Sequence, residues 1–445
     1  MLPPTTSFAA ALLLSGALGF QQPEEQRRSP DDDASLELSD SRVIDVSEFS
    51  VQQIRNENYR KKSGLMALLD AYAKYSIPLT HELKIAMKSQ GLPSRRKRQT
   101  TGQTGTTSAT PPGGYDYEFL CPVNIGTPPQ TLTLNFDTGS SDLWVFSSDT
   151  NANSVGAQGL YDPKASTSSV LKQNYTFSIG YGDGNTASGI VYNDVVAVGA
   201  ASIAGMTVES ATNVSTGFTE DDASSGLLGL GMSIGNTVSP VKQLTFLDKI
   251  KSSLAAPLFT ANLVHGEPGS YNFGYIDATQ HTGNIQYESI APGSTYWEFA
   301  VTGYRIGPAP DASNPNTGYI TYPWRSIADT GTSLLLVPDD VVDAYYANVT
   351  GAFYSPDFAG MLFPCAQGDN LPDFTFGIGL FKGILPGRYV NYGNVDDTGT
   401  NCYGGIQTQG TVNFGIFGDV ILKAQFVVFD SGNQRVGFAN KVLLT

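Results

Sequence analysis

One four-residue motif, placed twice between apolar runs, constrains this chain more than any other feature. Asp137-Thr138-Gly139-Ser140 is entered from Thr133-Leu134-Asn135-Phe136 and left through Leu143-Trp144-Val145-Phe146. Asp329-Thr330-Gly331-Thr332 is entered from Trp324-Arg325-Ser326-Ile327-Ala328 and left through Leu334-Leu335-Leu336-Val337. Each copy reads as a strand, a tight polar loop and a second strand. Two carboxylates delivered on matching hairpins predict a pair of neighbouring acids that shares one proton. The same letters recur at Asp397-Thr398-Gly399-Thr400, but within the polar stretch from Asn394 to Asn401. Without an apolar strand on either side, that copy reads as a turn.

The repetition extends downstream. Leu227-Leu228-Gly229 ends 92 residues after Asp137, and Ile416-Phe417-Gly418 ends 89 residues after Asp329. A nearly constant offset marks an internal duplication. Glycine at the end of each later run lets a second strand pass close beneath the Asp loop. Short runs rich in Val, Thr, Phe, Tyr and Ile, broken by Gly, Asn, Asp and Ser, predict an all-β fold. The region after residue 98, about 350 residues, exceeds what one hydrophobic core serves. The expectation is two duplicated β-rich lobes with a cleft between them and few short helices, among them 240–254 and 338–348.

From about residue 114 to the C-terminus the chain resembles the pepsin-like aspartic proteases, most closely the secreted fungal members. Besides the two hairpins, the resemblance rests on Ile179-Gly180-Tyr181-Gly182-Asp183-Gly184 and on the stretches Tyr271 to Asp277, Gly404 to Gln407, Phe426 to Asp430 and Arg435 to Ala439. It implies a bilobal pepsin-like fold in which Asp137 and Asp329 form the catalytic dyad. Thr138 and Thr330 are then the pair whose hydroxyls cross to the opposite loop. Ser140 and Thr332 bond the outer carboxylate oxygens, and Gly139 and Gly331 let backbone amides approach. Tyr181, with Gly182 and Asp183, forms the tip of a flap that closes over an extended peptide and faces Trp144. Phe218 and Leu227 match positions lining the pocket beside the scissile bond, which implies a preference for large apolar side chains. Relatives with Asp at position 183 accept lysine before the cut and usually carry Ser two residues later, where this chain has Asn185. The resemblance also implies a Cys365–Cys402 disulfide, and a lysine at Lys74 that pairs with both aspartates and occupies the water position in a zymogen.

The amino-terminal part divides in two. Residues 1–19 read as a signal peptide: Ser7 to Leu18 is apolar, and Ala17 and Gly19 are small. Residues 20–98 read as a basic, partly helical propeptide, with helical apolar spacing over 61–77 and 79–92. It ends at Arg95-Arg96-Lys97-Arg98, which suits a dibasic processing protease better than a solvated loop or a nucleic-acid patch. Lys and Arg number 14 through residue 98 and 12 after it, against 12 and 29 acidic residues, so the first part carries +2 and the remainder −17. An anionic enzyme attracts its own basic propeptide and repels nucleic acid, and acid weakens that attraction. Residues 99–288 are expected to form the N-terminal lobe with Asp137 and the flap, and 289–445 the C-terminal lobe with Asp329. No later apolar segment is long enough to span a bilayer. The expectation is a secreted, extracellular monomer whose partners are extended polypeptide substrates and its own propeptide, with neither nucleic acid nor membrane among them.

Other chemistries find little support. Three scattered histidines, His81, His265 and His281, without a His-Glu-x-x-His run argue against a zinc peptidase, so no metal and no cofactor is expected. Cys121 lacks a His partner and reads as a small buried apolar residue. Gly231-Met232-Ser233-Ile234-Gly235 has the letters of a serine-hydrolase elbow, but no helical pattern begins before Pro240. Asn174, Asn213 and Asn348 head acceptor sequons for N-glycosylation. A catalytically inactive peptide-binding protein of the same fold is the alternative, against which stand two intact aspartates, both hydroxyl pairs and Tyr181.

Overall fold

In a computed structural model the described residues are 46–54, 62–92, 119–180, 186–308 and 316–443. They form an all-β fold with a few short helices, arranged as three large sheets and one four-stranded sheet. The duplication is visible in strand pairing. Gln130–Asp137 pairs in parallel with Gly226–Gly229, bringing Phe136 opposite Leu228 and Asp137 opposite Gly229. Ile320–Ala328 pairs in parallel with Gly415–Phe417, bringing Ile327 opposite Ile416. In each half the later strand also pairs antiparallel with the strand that leaves the Asp loop, Leu143–Phe146 or Leu335–Val337. It is thus threaded between the two arms of the hairpin. The approach is close: a Cβ on Gly229 would stand 2.6 Å from the Asp142 amide, and one on Gly418 2.2 Å from the Thr332 carbonyl oxygen.

A seven-stranded sheet serves each half, and a six-stranded sheet is shared between them. The shared sheet takes Leu258–Val264, Glu267–Phe273 and Thr282–Ser289 from the middle of the chain and Gln425–Asp430 and Arg435–Asn440 from its end. A division of the chain after residue 288 therefore falls inside a strand of the sheet that both halves build. The sixth strand is Phe49–Gln52, from the amino-terminal segment, which pairs along Glu267–Phe273 and stacks Phe49 on Phe273 at 4.7 Å.

The two helices expected before residue 98 form, with tighter limits. Gly64–Lys74 starts at Ser63, whose hydroxyl accepts from the Met66 amide, and His81–Ser89 starts at Thr80, whose hydroxyl accepts from Leu83. Such caps satisfy amides that the first turn leaves open. Leu65, Leu68, Leu69 and Tyr72 are buried, and the Tyr72 hydroxyl donates to the Thr408 carbonyl in the second half of the chain. Asp339–Tyr346 matches the expected helix over 338–348, its first turn acidic as the helix dipole favours. The helix expected over 240–254 is reduced to Phe246–Ile250. The Asn236 side chain accepts from the Gln243 amide, so the chain before Thr245 is committed to a side-chain partner and cannot enter a helical ladder.

Cys365 and Cys402 are disulfide-bonded. Closing a separation of 37 residues contributes roughly 3–4 kcal/mol in the chain-entropy account. Cys121 is buried and reduced, and burial pushes its thiol well above the ordinary cysteine range. Asn174, Asn213 and Asn348 are all exposed. The Asp397 copy of the motif is an exposed turn in which Thr398 donates twice to Asp396. No helix among the described residues is long and apolar enough to cross a membrane.

Candidate active site

The two Asp loops meet where the halves face each other. Their threonines exchange hydrogen bonds across the boundary. Thr138 Oγ1 donates to the Ala328 carbonyl at 2.9 Å and accepts from the Thr330 amide at 3.0 Å. Thr330 Oγ1 donates to the Phe136 carbonyl at 2.5 Å and accepts from the Thr138 amide at 3.2 Å. Each buried hydroxyl thus satisfies both of its roles on the other half, which fixes the loops relative to each other. The Trp297 indole adds a further tie, donating to the Leu230 carbonyl at 2.9 Å.

This lock places Asp137 and Asp329 side by side, both fully buried. The Gly139 amide donates to Asp137 Oδ1 at 2.8 Å and the Gly331 amide to Asp329 Oδ1 at 2.9 Å. Ser140 Oγ donates to Asp137 Oδ2 at 2.5 Å, and Thr332 Oγ1 donates to Asp329 Oδ2. The glycines are required by crowding: a Cβ on Gly139 would stand 2.5 Å from Asp329 Oδ1, and one on Gly331 2.3 Å from Asp137 Oδ1.

Between the carboxylates lies the Lys74 ammonium, 2.6 Å from Asp137 Oδ1 and 2.8 and 2.9 Å from the two oxygens of Asp329. Tyr75, which sequence reasoning did not count among the site residues, donates its hydroxyl to Asp329 Oδ2 at 2.7 Å. It is held edge-on by Tyr296 and Phe414. Burial drives Asp137 above the usual carboxylate range, beyond what Lys74 recovers. Burial acts on Asp329 in the same sense, but Lys74, Thr332 and Tyr75 together bring it below that range. Burial alone would lower the Lys74 ammonium; the two carboxylates outweigh it and raise it.

Trp144, Phe218 and Leu227 come together in a separate apolar cluster with Phe146 and Phe177. The Trp144 and Phe218 rings meet edge to face at 5.0 Å, and Leu227 is the backbone partner of Trp144. Tyr181, Gly182 and Asp183 lie outside the described residues. The arms leading to them, Val170–Gly180 and Thr186–Val198, form the expected hairpin, paired as far as Gly180 and Thr186. Ser233 is no nucleophile elbow: its hydroxyl bonds the Asp248 carboxylate and accepts from the Thr245 amide.

A second buried acid pair escaped sequence reasoning. Asp142 and Glu209 are both buried, joined by the Asn236 amide group, which donates to Asp142 Oδ1 at 3.0 Å and to Glu209 Oε1 at 3.1 Å. The remaining oxygens, Asp142 Oδ2 and Glu209 Oε2, have no other donor, so a proton shared between the carboxyls satisfies both. Burial pushes Asp142 up to about 6, and burial with the neighbouring Asp142 pushes Glu209 well above its ordinary value. A carboxyl whose folded-state pKa is raised stabilises the fold fully below its unfolded pKa, and that stability is lost as pH rises through the folded value. The contribution of Asp142 should therefore be lost as pH rises from the ordinary carboxylate range to about 6, and that of Glu209 over a range reaching higher. Glu209→Gln is expected to flatten that loss, and thermal melts across the acid-to-neutral range check it. An unchanged pH dependence would assign the loss to other groups.

Comparison with known proteins agrees with the geometry. Residues 118–441 match the family model described as eukaryotic aspartyl protease. The chain is similar to endothiapepsin of Cryphonectria parasitica, 43% identical over 442 residues that cover 99% of both chains. It is 44% identical over 333 residues to aspergillopepsin-1 of Aspergillus fumigatus, covering 75% of this chain and 81% of that one. Penicillopepsin-2 of Penicillium janthinellum is 42% identical over 333 residues, covering 75% of this chain and 80% of the relative. The crystal structure of the aspartic proteinase from Irpex lacteus shares the fold, with a TM-score of 0.60 at 24% identity, over 74% of this chain and 96% of that one.

Proposed function

The chain belongs to the eukaryotic aspartyl protease family and is an aspartic endopeptidase; from that premise we propose that it is a secreted zymogen whose mature form cleaves extended polypeptides beside bulky apolar residues in acid. The observation that carries this reading is the position of Lys74 Nζ, within 2.6–2.9 Å of both Asp137 and Asp329. That ammonium stands where a water would sit once residues 20–98 have left. Its three donors are directed at carboxylate oxygens that such a water would otherwise bridge.

In the mature enzyme two carboxyls in contact cannot both be charged at low cost, so the pair carries one proton. The ionised member takes a proton from the water while the neutral member hydrogen-bonds the scissile carbonyl oxygen. The water oxygen attacks the carbonyl carbon, giving a tetrahedral intermediate without a covalent acyl-enzyme. A proton from the dyad then goes to the departing nitrogen, and the carbon–nitrogen bond breaks. Ser140, Thr332 and the amides of Gly139 and Gly331 hold the carboxylates in one plane beforehand, so little reorganisation accompanies reaction. Trp144, Phe218 and Leu227 supply the apolar wall beside the scissile bond, and Tyr181 the flap that covers it. The exposed Asn174, Asn213 and Asn348 suit glycan attachment during secretion.

The precursor, acidified and freed of its propeptide, is expected to digest denatured protein at acid pH, and a statine-type inhibitor should block the digestion. Fully processed protein that binds peptides in acid without cutting them would instead favour the inactive binding protein.

A further inference from the structure

The internal duplication offers a comparison within one molecule. Asp142 and Leu334 each stand five residues after a dyad aspartate, and both are buried. Glu209 is the strand partner of Trp144 and Gln407 that of Leu336, the residues seven places after Asp137 and Asp329. Two acids in one half are therefore answered by two neutral residues in the other. Gln407 is satisfied by backbone: it donates to the Met361 and Gly404 carbonyls and accepts from the Met361 amide. Proton transfer in the dyad does not involve Asp142 and Glu209, yet the pair stands directly behind the Asp137 loop. The Asn236 side chain that joins the two carboxyls also donates to the Ser141 carbonyl at 3.1 Å. The Thr237 amide and hydroxyl donate to Asp142 Oδ1 at 2.8 and 3.0 Å. The Gly229 and Gly231 amides hold the Asp142 and Ser140 carbonyls at 2.9 and 2.8 Å, and Ser140 in turn holds Asp137 Oδ2. On its other side Glu209 lies opposite Val191 of Thr186–Val198, one arm of the hairpin that leads to Tyr181.

Resting on the reading of Asp137 as half of a catalytic dyad, we infer that Asp142 and Glu209 are positioning residues for peptide hydrolysis: a proton held between their carboxyls keeps the Asp137 loop, Trp144 and the arm of the Tyr181 hairpin on one support. Ionising both would put two negative charges in contact inside the protein, where they must separate or draw in water. Burial raises both carboxyls and so keeps the proton in place through acid. The charged groups on the elements packed around them are few. Asp137 on the loop itself bears on Asp142 and disfavours its charge. Lys172 of Val170–Gly180 reaches the Gln243 side chain at 3.4 Å, and Asp194 of Thr186–Val198 accepts from Tyr161 at 2.6 Å. Lys242 bonds the Ile234 carbonyl, and Asp248 and Lys249 of the helix Phe246–Ile250 bond Ser233 and the Gly205 carbonyl. A displacement of about 1 Å in a positioned group slows a reaction about 10²-fold, so separation of the pair should appear in kcat rather than in KM.

Mature enzyme, released from the full-length precursor with an added dibasic protease, tests this in kcat and KM against pH, at a temperature where each protein stays folded throughout. The parent should lose kcat as pH approaches neutrality, with KM little changed. Glu209→Gln brings to the first half the residue type that Gln407 supplies in the second, and it cannot place two charges in contact. The pH at which half of kcat is lost should move up by about one unit or more. Asp142→Asn removes the other charge and should give the same shift, so the test survives one poorly folded variant. Glu209→Ala, which takes a partner from Asn236 and Asp142, should lower kcat about tenfold or more even in acid. The same kcat profile in the parent and a folded Glu209→Gln variant would overturn the inference, as would a change confined to the melting temperature. A parent inactive in acid would instead remove the proteolytic reading, and the inference with it.

Discussion

Asp137→Asn and Asp329→Asn are each expected to lower peptide hydrolysis by at least about 10²–10⁴-fold, because each removes a group that accepts and returns a proton. The loss should fall on the rate at saturating substrate more than on substrate affinity, since the apolar cluster of Trp144, Phe218 and Leu227, proposed above as the wall beside the scissile bond, is untouched. The amide retains the shape of the carboxylate and its hydrogen bonds to Gly139 or Gly331, so folding is preserved. Because a precursor that matures by its own activity would also stall, both variants should be processed by an added dibasic protease before assay. Near-normal turnover in either processed variant would rule out the dyad.

The second large effect belongs to Lys74→Ala. Removing one partner of a buried ion pair typically costs 3–5 kcal/mol, because it leaves uncompensated charge. Docking of the propeptide should weaken by about that amount near neutrality, and conversion should be faster than in the parent. The pH dependence has a definite sign. Asp137, held up by burial, is protonated first as pH falls, which removes one of the two ion pairs. The contribution of Asp329, which lies below its ordinary range, persists until pH passes that lowered value. Lys74 is raised and stays charged throughout, so acid breaks the contact from the carboxylate side. The parent precursor is expected to be stable near neutrality and to convert in acid, and the Lys74→Ala precursor to convert over a wider pH range. Equal conversion rates across pH in the two precursors would remove Lys74 from the mechanism.

What the amino-acid order revealed, and what it hid, follow from locality. Each Asp loop and its later glycine-ended strand are contiguous signals, so their pairing was readable before any geometry. Lys74 was readable through the resemblance. Tyr75 was not, because its contact depends on the turn at Ser76, with φ at +54°, and on Tyr296 and Phe414 far along the chain. The Asp142–Glu209 pair was hidden for a similar reason: strand register places Glu209 opposite Trp144, two residues from Asp142. An acid inside an apolar run, Asp142 before Leu143-Trp144-Val145-Phe146, was the one local clue. The overlong helix over 240–254 was a misreading of another kind. Apolar residues there have helical spacing, but the Asn236 side chain diverts the Gln243 amide.

The threonine exchange across the boundary is its own mirror image: what Thr138 gives to one half, Thr330 returns to the other. Such a handshake needs no second kind of sequence to complete it. A polypeptide of half this length, meeting a copy of itself, would already hold both sides of the clasp and two facing acids. Joining the copies in one chain then frees each side to specialise, so that one arm can grow a lid while the other keeps its half of the floor.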